Sequence, residues 1–350
     1  MIRNRPKNER GSALLVVLWM TAALAAIAFT VASTVRAETE RAATEADSLR
    51  AYYIATGSIE RMVMWMQWGF AGITGPNGQP MFYTAPMPRH HFDYPEGAAD
   101  VEIIPETSKL NINQIPQDQL TNLLVALGVP GEQAMGIAAG IVYWRSPAPG
   151  GGYAPLDAAI LGNGSSFRAR HASIEENEEL LLVPGMTPDI FYGGYRPTQD
   201  GGLQPYGGLR DCVSPYGVMS NIDINTVQPA VLAMLGLNPG AIQALVARRN
   251  AMPFTQVGDA AVFAQGAPGF GRLGLGGMTM WTIRATAQFR LPDGRLSDLR
   301  RTVSALVKMM PQGYDPPYEF MRWYDGTPPL RSLAPAPAPI QGERSQETAQ

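Results

Sequence analysis

Cysteine occurs once and histidine only three times in this chain. A lone thiol, Cys212, closes no intramolecular disulfide even in an oxidising compartment and supports no thiolate metal cluster, so it reads as a small buried hydrophobe. Charge is also scarce: 16% of residues are Asp, Glu, Lys or Arg, and the net charge is −3. That excludes the basic footprint expected of a chain that tracks nucleic acid or an anionic surface. The scarcity is sharpest from Ser12 to Val35, where there is no charged side chain at all.

What precedes and fills that run is informative. The first residues, MIRNRPKNERG, set Arg3, Arg5, Lys7 and Arg10 against Glu9 alone. About 20 apolar residues span the hydrocarbon core of a bilayer, and basic flanks stay on the cytoplasmic side, so the N-terminus is expected inside and the bulk of the chain outside. A secretory signal has an apolar region of about 7 to 15 residues ending at a small-residue cleavage site, which this longer run is not.

Beyond Val35 no Pro and no Gly intervenes until Gly57, and Leu49, Tyr52, Ile59, Met62, Val63 and Met66 recur at helical spacing. The helix should therefore continue from Ala13 to about Gln67, a length on the order of 80 Å. Glu38, Arg41, Glu45, Asp47 and Arg50 form a solvated collar just outside the bilayer. Gly69 to Pro95 reads as loop from its Gly and Pro content. Asp100 to Ile104 alternates like a strand. Trp281–Leu291 and Leu299–Met309 flank Asp293-Gly294, which predicts a hairpin. The strands of one antiparallel sheet are thus far apart in sequence, and an inserted domain must lie between them.

The insert is expected to be helical and internally repeated. Lys109-Leu110-Asn111-Ile112-Asn113 precedes a helix starting near Pro116, the turn Gly128-Val129-Pro130-Gly131 and a second helix. Ile222-Asp223-Ile224-Asn225-Thr226 precedes Pro229, the turn Gly236-Leu237-Asn238-Pro239-Gly240 and again a second helix. Two helices joined by a short glycine turn make a helix-hairpin-helix unit. Between the copies, Glu178 to Pro188 supplies another short helix ending at Gly185.

Taken in order, the junction Arg10-Gly11-Ser12-Ala13-Leu14-Leu15 and the phrases KLNIN, EELLLVPGMTP and NIDINTVQPAVLAML resemble the K-type minor pseudopilins of type II secretion, the general secretion pathway protein K family, over roughly Arg10 to Met309. The resemblance implies an α+β type IV pilin-like head on a long N-terminal transmembrane helix, with a large inserted all-α SAM-like or helix-hairpin-helix domain. It implies cleavage by a prepilin peptidase between Gly11 and Ser12. It also implies I- and J-type minor pseudopilins and the major pseudopilin filament as partners, a single-pass inner-membrane location with the head in the periplasm, and no enzymatic activity. Counting Ser12 as the first mature residue, Val16 stands where most pilins carry Glu. A buried carboxylate is costly unless paired, so a subunit with Val there demands no partner overhead, which suits a filament tip. Stem packing falls to Leu49, Tyr52, Ile59, Met62 and Met66. The boundaries that follow are a leader at 1–11, a membrane helix at 12–35, its extension at 36–68, a first part of the head at 69–108, the insert at 109–265, the C-terminal hairpin at 266–311 and a disordered Pro-rich tail at 312–350.

The alternative is a membrane-anchored receptor whose hairpins grip DNA. In such hairpins backbone N–H groups of a Pro-Gly-x-Gly turn hold a phosphate. Here Glu132 and Gln133 follow Gly131, Ala241 follows Gly240, and bases cluster only at Arg248-Arg249, so no nucleic-acid partner is expected. His90-His91 near Asp93 is no metal-ligand spacing, and Ser165, Ser166 and His171 lack a nucleophile-elbow setting. The resembled family binds Ca²⁺ in the head. Trp144 to Gly150 stands here where its acidic stretch would fall, leaving Asp157, Asp211 and Asp223 as candidate oxygen donors and no assigned metal residue. No cofactor is required, and calcium is the one candidate.

Overall fold

In the computed structural model the described residues run from 10 to 325, without 79–80, 84–86, 148–156, 158–167, 198–202, 264–265, 278 and 311–312. The chain opens with one continuous helix, α1 (Arg10–Phe70), 61 residues long and hence roughly 90 Å. Strands β1 (Arg89–Tyr94) and β2 (Gly97–Pro105) follow, then a short strand β3 (Leu110–Asn111) and helices α2 (Gln117–Ala126) and α3 (Gly131–Arg145). Next come a 3₁₀ turn at Asn177–Leu182, α4 (Pro188–Tyr192), β4 (Gly193–Pro197), β5 (Leu203–Gly207), β6 (Val213–Ser214) and β7 (Ile222–Asp223). The remainder is α5 (Pro229–Met234), α6 (Pro239–Ala251), β8 (Leu273–Gly274), β9 (Met280–Phe289), β10 (Arg301–Met309) and β11 (Tyr318–Asp325).

Five strands form one antiparallel sheet in the order β1-β2-β9-β10-β11. Strand residues alternate faces, and here the alternation separates chemistry. Val101, Ile103, Ile283, Ala285, Val303, Ala305 and Val307 face α1 and are buried with it. Glu102, Thr282, Arg284, Ser304 and Tyr324 face the other way. From α1 the stripe Ala51, Ala55, Ser58, Ile59, Met62, Val63 and Met66 closes the first core, every member being buried. Small residues let the helix approach closely. Gly97 does the same from the sheet, since a Cβ there would lie 2.6 Å from the Ile54 side chain and 2.3 Å from the Gln288 carbonyl oxygen.

The insert, residues 106–279, builds a second core of its own around Leu120, Leu123, Ile137, Ile141, Leu180, Phe191, Leu232 and Phe254. It is helical, and three small ladders stitch it: β3 with β6 in parallel, β7 with β8 in parallel, and the β4–β5 hairpin.

Three boundaries differ from the expectation. The Gly69–Pro95 loop contains β1, whose inward residues His90, Phe92 and Tyr94 alternate with polar Arg89, His91 and Asp93; proline on both sides and a polar outer face disguised an edge strand. The insert does not stop at 265, because Leu273-Gly274 pairs with Ile222-Asp223 and Leu273 sits in the insert core. The tail assigned from 312 contains β11, held to β10 across a register shift between Leu306 and Val307 that breaks the period-two pattern of its aromatic residues. Residues 1–9 of the leader and 326–350 of the tail lie outside the described residues.

The packing of α1 predicts a sharp contrast along one helix. Ile59→Ala should cost about 2–5 kcal/mol through transfer and cavity terms, whereas Leu49→Ala on the exposed stem should change stability by less than about 0.5 kcal/mol. Thermal unfolding of the detergent-solubilised chain, followed at the tertiary aromatic signal, distinguishes the two.

Candidate assembly surfaces

The stem is the first candidate surface. Below Ala51 the described part of α1 is exposed except at half-buried Asp47 and Ser48: Val16 is 58% exposed and Leu49 52% exposed, and Leu14, Leu18, Trp19, Leu24, Phe29 and Val35 are exposed as well. This helix is long and apolar enough to cross a membrane. Its hydroxyls are turned inward onto the backbone, Thr30 Oγ1 donating to the Ile27 carbonyl at 2.8 Å, Ser33 to Thr30 at 2.8 Å and Thr34 to Thr30 at 2.9 Å. In a medium without water that arrangement leaves few polar groups unsatisfied. Just above, Arg41–Glu38 and Arg50–Asp47 pair at 3.2 Å on the solvated collar.

The predicted stem residues divide at one point. Ile59, Met62 and Met66 are buried against the sheet, Tyr52 is half-buried at its edge beside Tyr53, and Leu49 is left outside. Gly11 and Ser12 lie in the first turn of α1. Ala51, Ala55 and Ser58 were missed by hydrophobic counting, although their four- and three-residue spacing marks the same face; Ser58 Oγ meets the Tyr94 hydroxyl at 3.0 Å.

The second candidate is the repeated unit in the insert, and both copies are built alike. After α2 the chain turns at Gly128 with φ 93°, and after α5 at Gly236 with φ 92°. Val129 N–H returns to the Leu124 carbonyl at 3.0 Å, and Leu237 N–H to Leu232 at 3.1 Å, which is the Schellman closure that glycine permits. The Asn113 amide brackets the backbone of Ile174, accepting at 2.8 Å and donating at 2.9 Å. Asn225 brackets Phe254 in the same way at 2.7 and 3.0 Å. Arg145 at the end of α3 donates to the Ile112 and Ile115 carbonyls, and Arg249 near the end of α6 to Ile224 and Val227 at 2.9 and 2.8 Å. No family model and no curated protein matches the chain. Among solved structures, a chain of the GspK–GspI–GspJ complex from the enterotoxigenic Escherichia coli type 2 secretion system aligns over 82% of this chain and 99% of its own length, with a TM-score of 0.51 and 16% sequence identity.

The chain has a pseudopilin-like fold.

Within that fold the anchoring arginines bear on the nucleic-acid alternative. Arg249, half of the basic pair, is spent on carbonyls inside the insert; burial first, against the attraction of Asp223, brings its guanidinium down to about 10, so it stays charged. Arg248 lies over the Phe254 ring at 5.3 Å and donates to the Met252 carbonyl. Neither is poised over a hairpin N-terminus to neutralise a phosphate.

The remaining candidates are dispersed. His90 and His91 project from opposite faces of β1: His90 packs 4.7 Å from the Trp65 ring, and burial, then Arg61 and His91, lower it to about 4, so it is neutral; His91 Nδ1 meets Asp100 at 2.7 Å. Among the described residues, Asp157 accepts from the Tyr143 hydroxyl at 3.0 Å with His171 Nε2 at 3.7 Å, Asp211 pairs with Arg210 at 3.6 Å, and Asp223 takes Thr226 and the Gly276 N–H. These carboxylates are committed to protein partners, and no three acidic, His or Cys side chains among the described residues gather as a metal cage, while most of the segment from 148 to 167 lies outside the described residues. Ser165 and Ser166 lie outside the described residues.

Where the insert leaves the sheet, Glu106 is buried and paired with Lys109 at 2.7 Å and with the Thr282 hydroxyl at 2.6 Å. Burial pushes its carboxyl up, but the Lys109 charge and the hydrogen bonds from Lys109, Ser214 and Thr282 outweigh it and hold the group below the ordinary carboxylate value of 4.5. A carboxyl lowered on folding stabilises the folded state fully above that value and loses its contribution as pH falls below it. The unfolding midpoint of Glu106→Gln should therefore lie well under that of the native chain at neutral pH, with the gap narrowing below about 4.5. Parallel melts across an acidic pH series measure it.

Proposed function

We propose that this chain is a K-type minor pseudopilin that sits at the tip of a type II secretion pseudopilus, without catalytic activity. The observation that carries the reading is the stem: a helix uncharged from Ser12 to Val35, exposed from Ala13 to Val35 and without an acid at Val16, that runs unbroken into the core of a pilin-like sheet. Exposed apolar surface on this scale costs about 25 cal/mol per Å² in water, so the segment belongs first in a bilayer and later among the stems of neighbours.

Val16 supports the terminal position. With no carboxylate to desolvate, nothing at this level asks for the ammonium of a subunit above. The insert supports it by volume, since residues 106–279 enlarge the head on the face of the sheet away from α1 and would obstruct a further subunit there. The partners that follow are I- and J-type minor pseudopilins and the major pseudopilin filament, consistent with the composition of the complex to which the fold is similar. The head would face the periplasm from the inner membrane, and assembly would start or cap the filament that moves folded proteins across the outer membrane.

Sequencing the N-terminus of the chain purified from cells with and without the prepilin peptidase tests this directly. Cleavage between Gly11 and Ser12 that depends on the peptidase is expected. An N-terminus beginning at Met1 in both strains would overturn the pseudopilin assignment and favour a permanently anchored receptor.

A further inference from the structure

The insert rests on the face of the sheet opposite α1, and that face is polar. One rung across it runs Arg89, Glu102, Arg284, Ser304 and Tyr324. The sheet and insert cores are separate apolar clusters. Between them lies a half-open cleft of about 100 Å³, floored by Arg284 and walled by Asn177 and the side chains around Glu106.

Two groups in this cleft are incompletely served. Arg284 is only 5% exposed, yet its Nε and Nη1 have no hydrogen-bond acceptor. Its nearest carboxylate oxygen, on Glu102, is 3.7 Å from Nη1, beyond hydrogen-bond range. Asn177 donates from Nδ2 to the Val213 carbonyl at 3.0 Å, but its Oδ1 is buried without a donor. One side of the cleft needs acceptors and the other needs a donor.

The surrounding charges decide what can meet both needs. Lys109 is paired with Glu106 at 2.7 Å, Arg210 with Asp211 at 3.6 Å, and Arg322 with Glu176. Arg284 has only a share in Glu102, which also lies 3.6 Å from Arg89, but the cleft lining carries Glu106, Glu175, Glu176, Glu178 and Asp211 against Lys109, Arg210 and Arg284, so an anion is repelled by the surplus carboxylates and a cation by the unsatisfied guanidinium. A neutral species that both donates and accepts has no such cost. Water does both, and a polar cavity of this size holds several molecules at about 10–15 Å³ of probe volume each.

We propose that the seam between sheet and insert holds an ordered water cluster that bridges Arg284 to Glu102 and to Asn177. The inference concerns the joint alone and does not depend on the pseudopilin reading. It explains how a guanidinium persists under the insert: Glu102 is close enough to offset its charge but too far to accept a hydrogen bond, and water supplies the acceptors that Nε and Nη1 lack. The insert is thereby fastened through solvent and ion pairs instead of through shared apolar packing.

A crystal structure of the full chain in detergent, at a resolution that orders solvent, tests this. Waters are expected within about 3.2 Å of Arg284 Nε and Nη1 and of Asn177 Oδ1. A guanidinium closed directly onto Glu102 with protein atoms filling the cleft, or an ion in it, would overturn the proposal. Arg284→Met gives an independent reading in solution. If water completes the coordination of Arg284, its loss lowers the melting temperature by a few degrees; if the guanidinium is dry and unsatisfied, its removal relieves a penalty and the melting temperature is unchanged or raised, which also overturns the proposal.

Discussion

The rest of the structure depends on the burial of one stripe of α1 against one face of the sheet. Ala51, Ala55, Ile59, Met62 and Met66 lie on that stripe, and it stops at Ala51 because the sheet does: Ile54 meets Gly97 at the near edge, and Met309 and Trp281 close the far end. Below it, from Ala13 to Ala46, the helix is exposed along its whole length. Helical propensity alone holds such a segment weakly in water, but in a hydrocarbon phase the absence of competing hydrogen-bond partners enforces it. The same helix is packed above and exposed below, where it is long and apolar enough to cross a membrane, and the charged stretch from Arg36 to Arg50 lies between the two parts.

That division explains how a large insertion is tolerated. The sheet needs α1 on one face only, and the chain between β2 and β9 is added to the other. Because β2 and β9 are paired along their whole length, from Gly97–Phe289 to Pro105–Trp281, the two ends of the insert emerge side by side. No strand must move to admit it. The insert then satisfies its apolar surface internally and meets the sheet through the hydrogen bond from the Thr282 hydroxyl to Glu106 and the Glu176–Arg322 ion pair.

Much of this was legible in the residues. The stem helix, the β9–β10 hairpin around Asp293-Gly294 and the repeated helix pairs follow from spacing and turn chemistry that act locally. What escaped depends on distant partners. β1 is a strand because β2 offers an edge and Trp65 a ring for His90, and β11 because β10 would otherwise be the bare edge; the alternation in β1 is short and lies between two prolines, and that in β11 is broken by the register shift. Helical spacing predicts one stripe from Leu49 to Met66, yet Leu49 falls beyond the reach of the sheet, a limit that no helical periodicity encodes. The Asn113 and Asn225 brackets were visible as repeated letters, but their partners Ile174 and Phe254 were not.

The repeat shows how a shared local design can lose one use and keep another. In both copies the loop ahead of the first helix turns backbone carbonyls inward, at Ile112 and Ile115 and at Ile224 and Val227, and an arginine from the second helix of the same copy reaches back to them. A guanidinium committed to two buried carbonyls is unavailable to a phosphate, and pulling it out would strand those acceptors at about 1–3 kcal/mol each. The arginine therefore ties the start of the unit to its end. What such a hairpin module adds to the head is volume and shape.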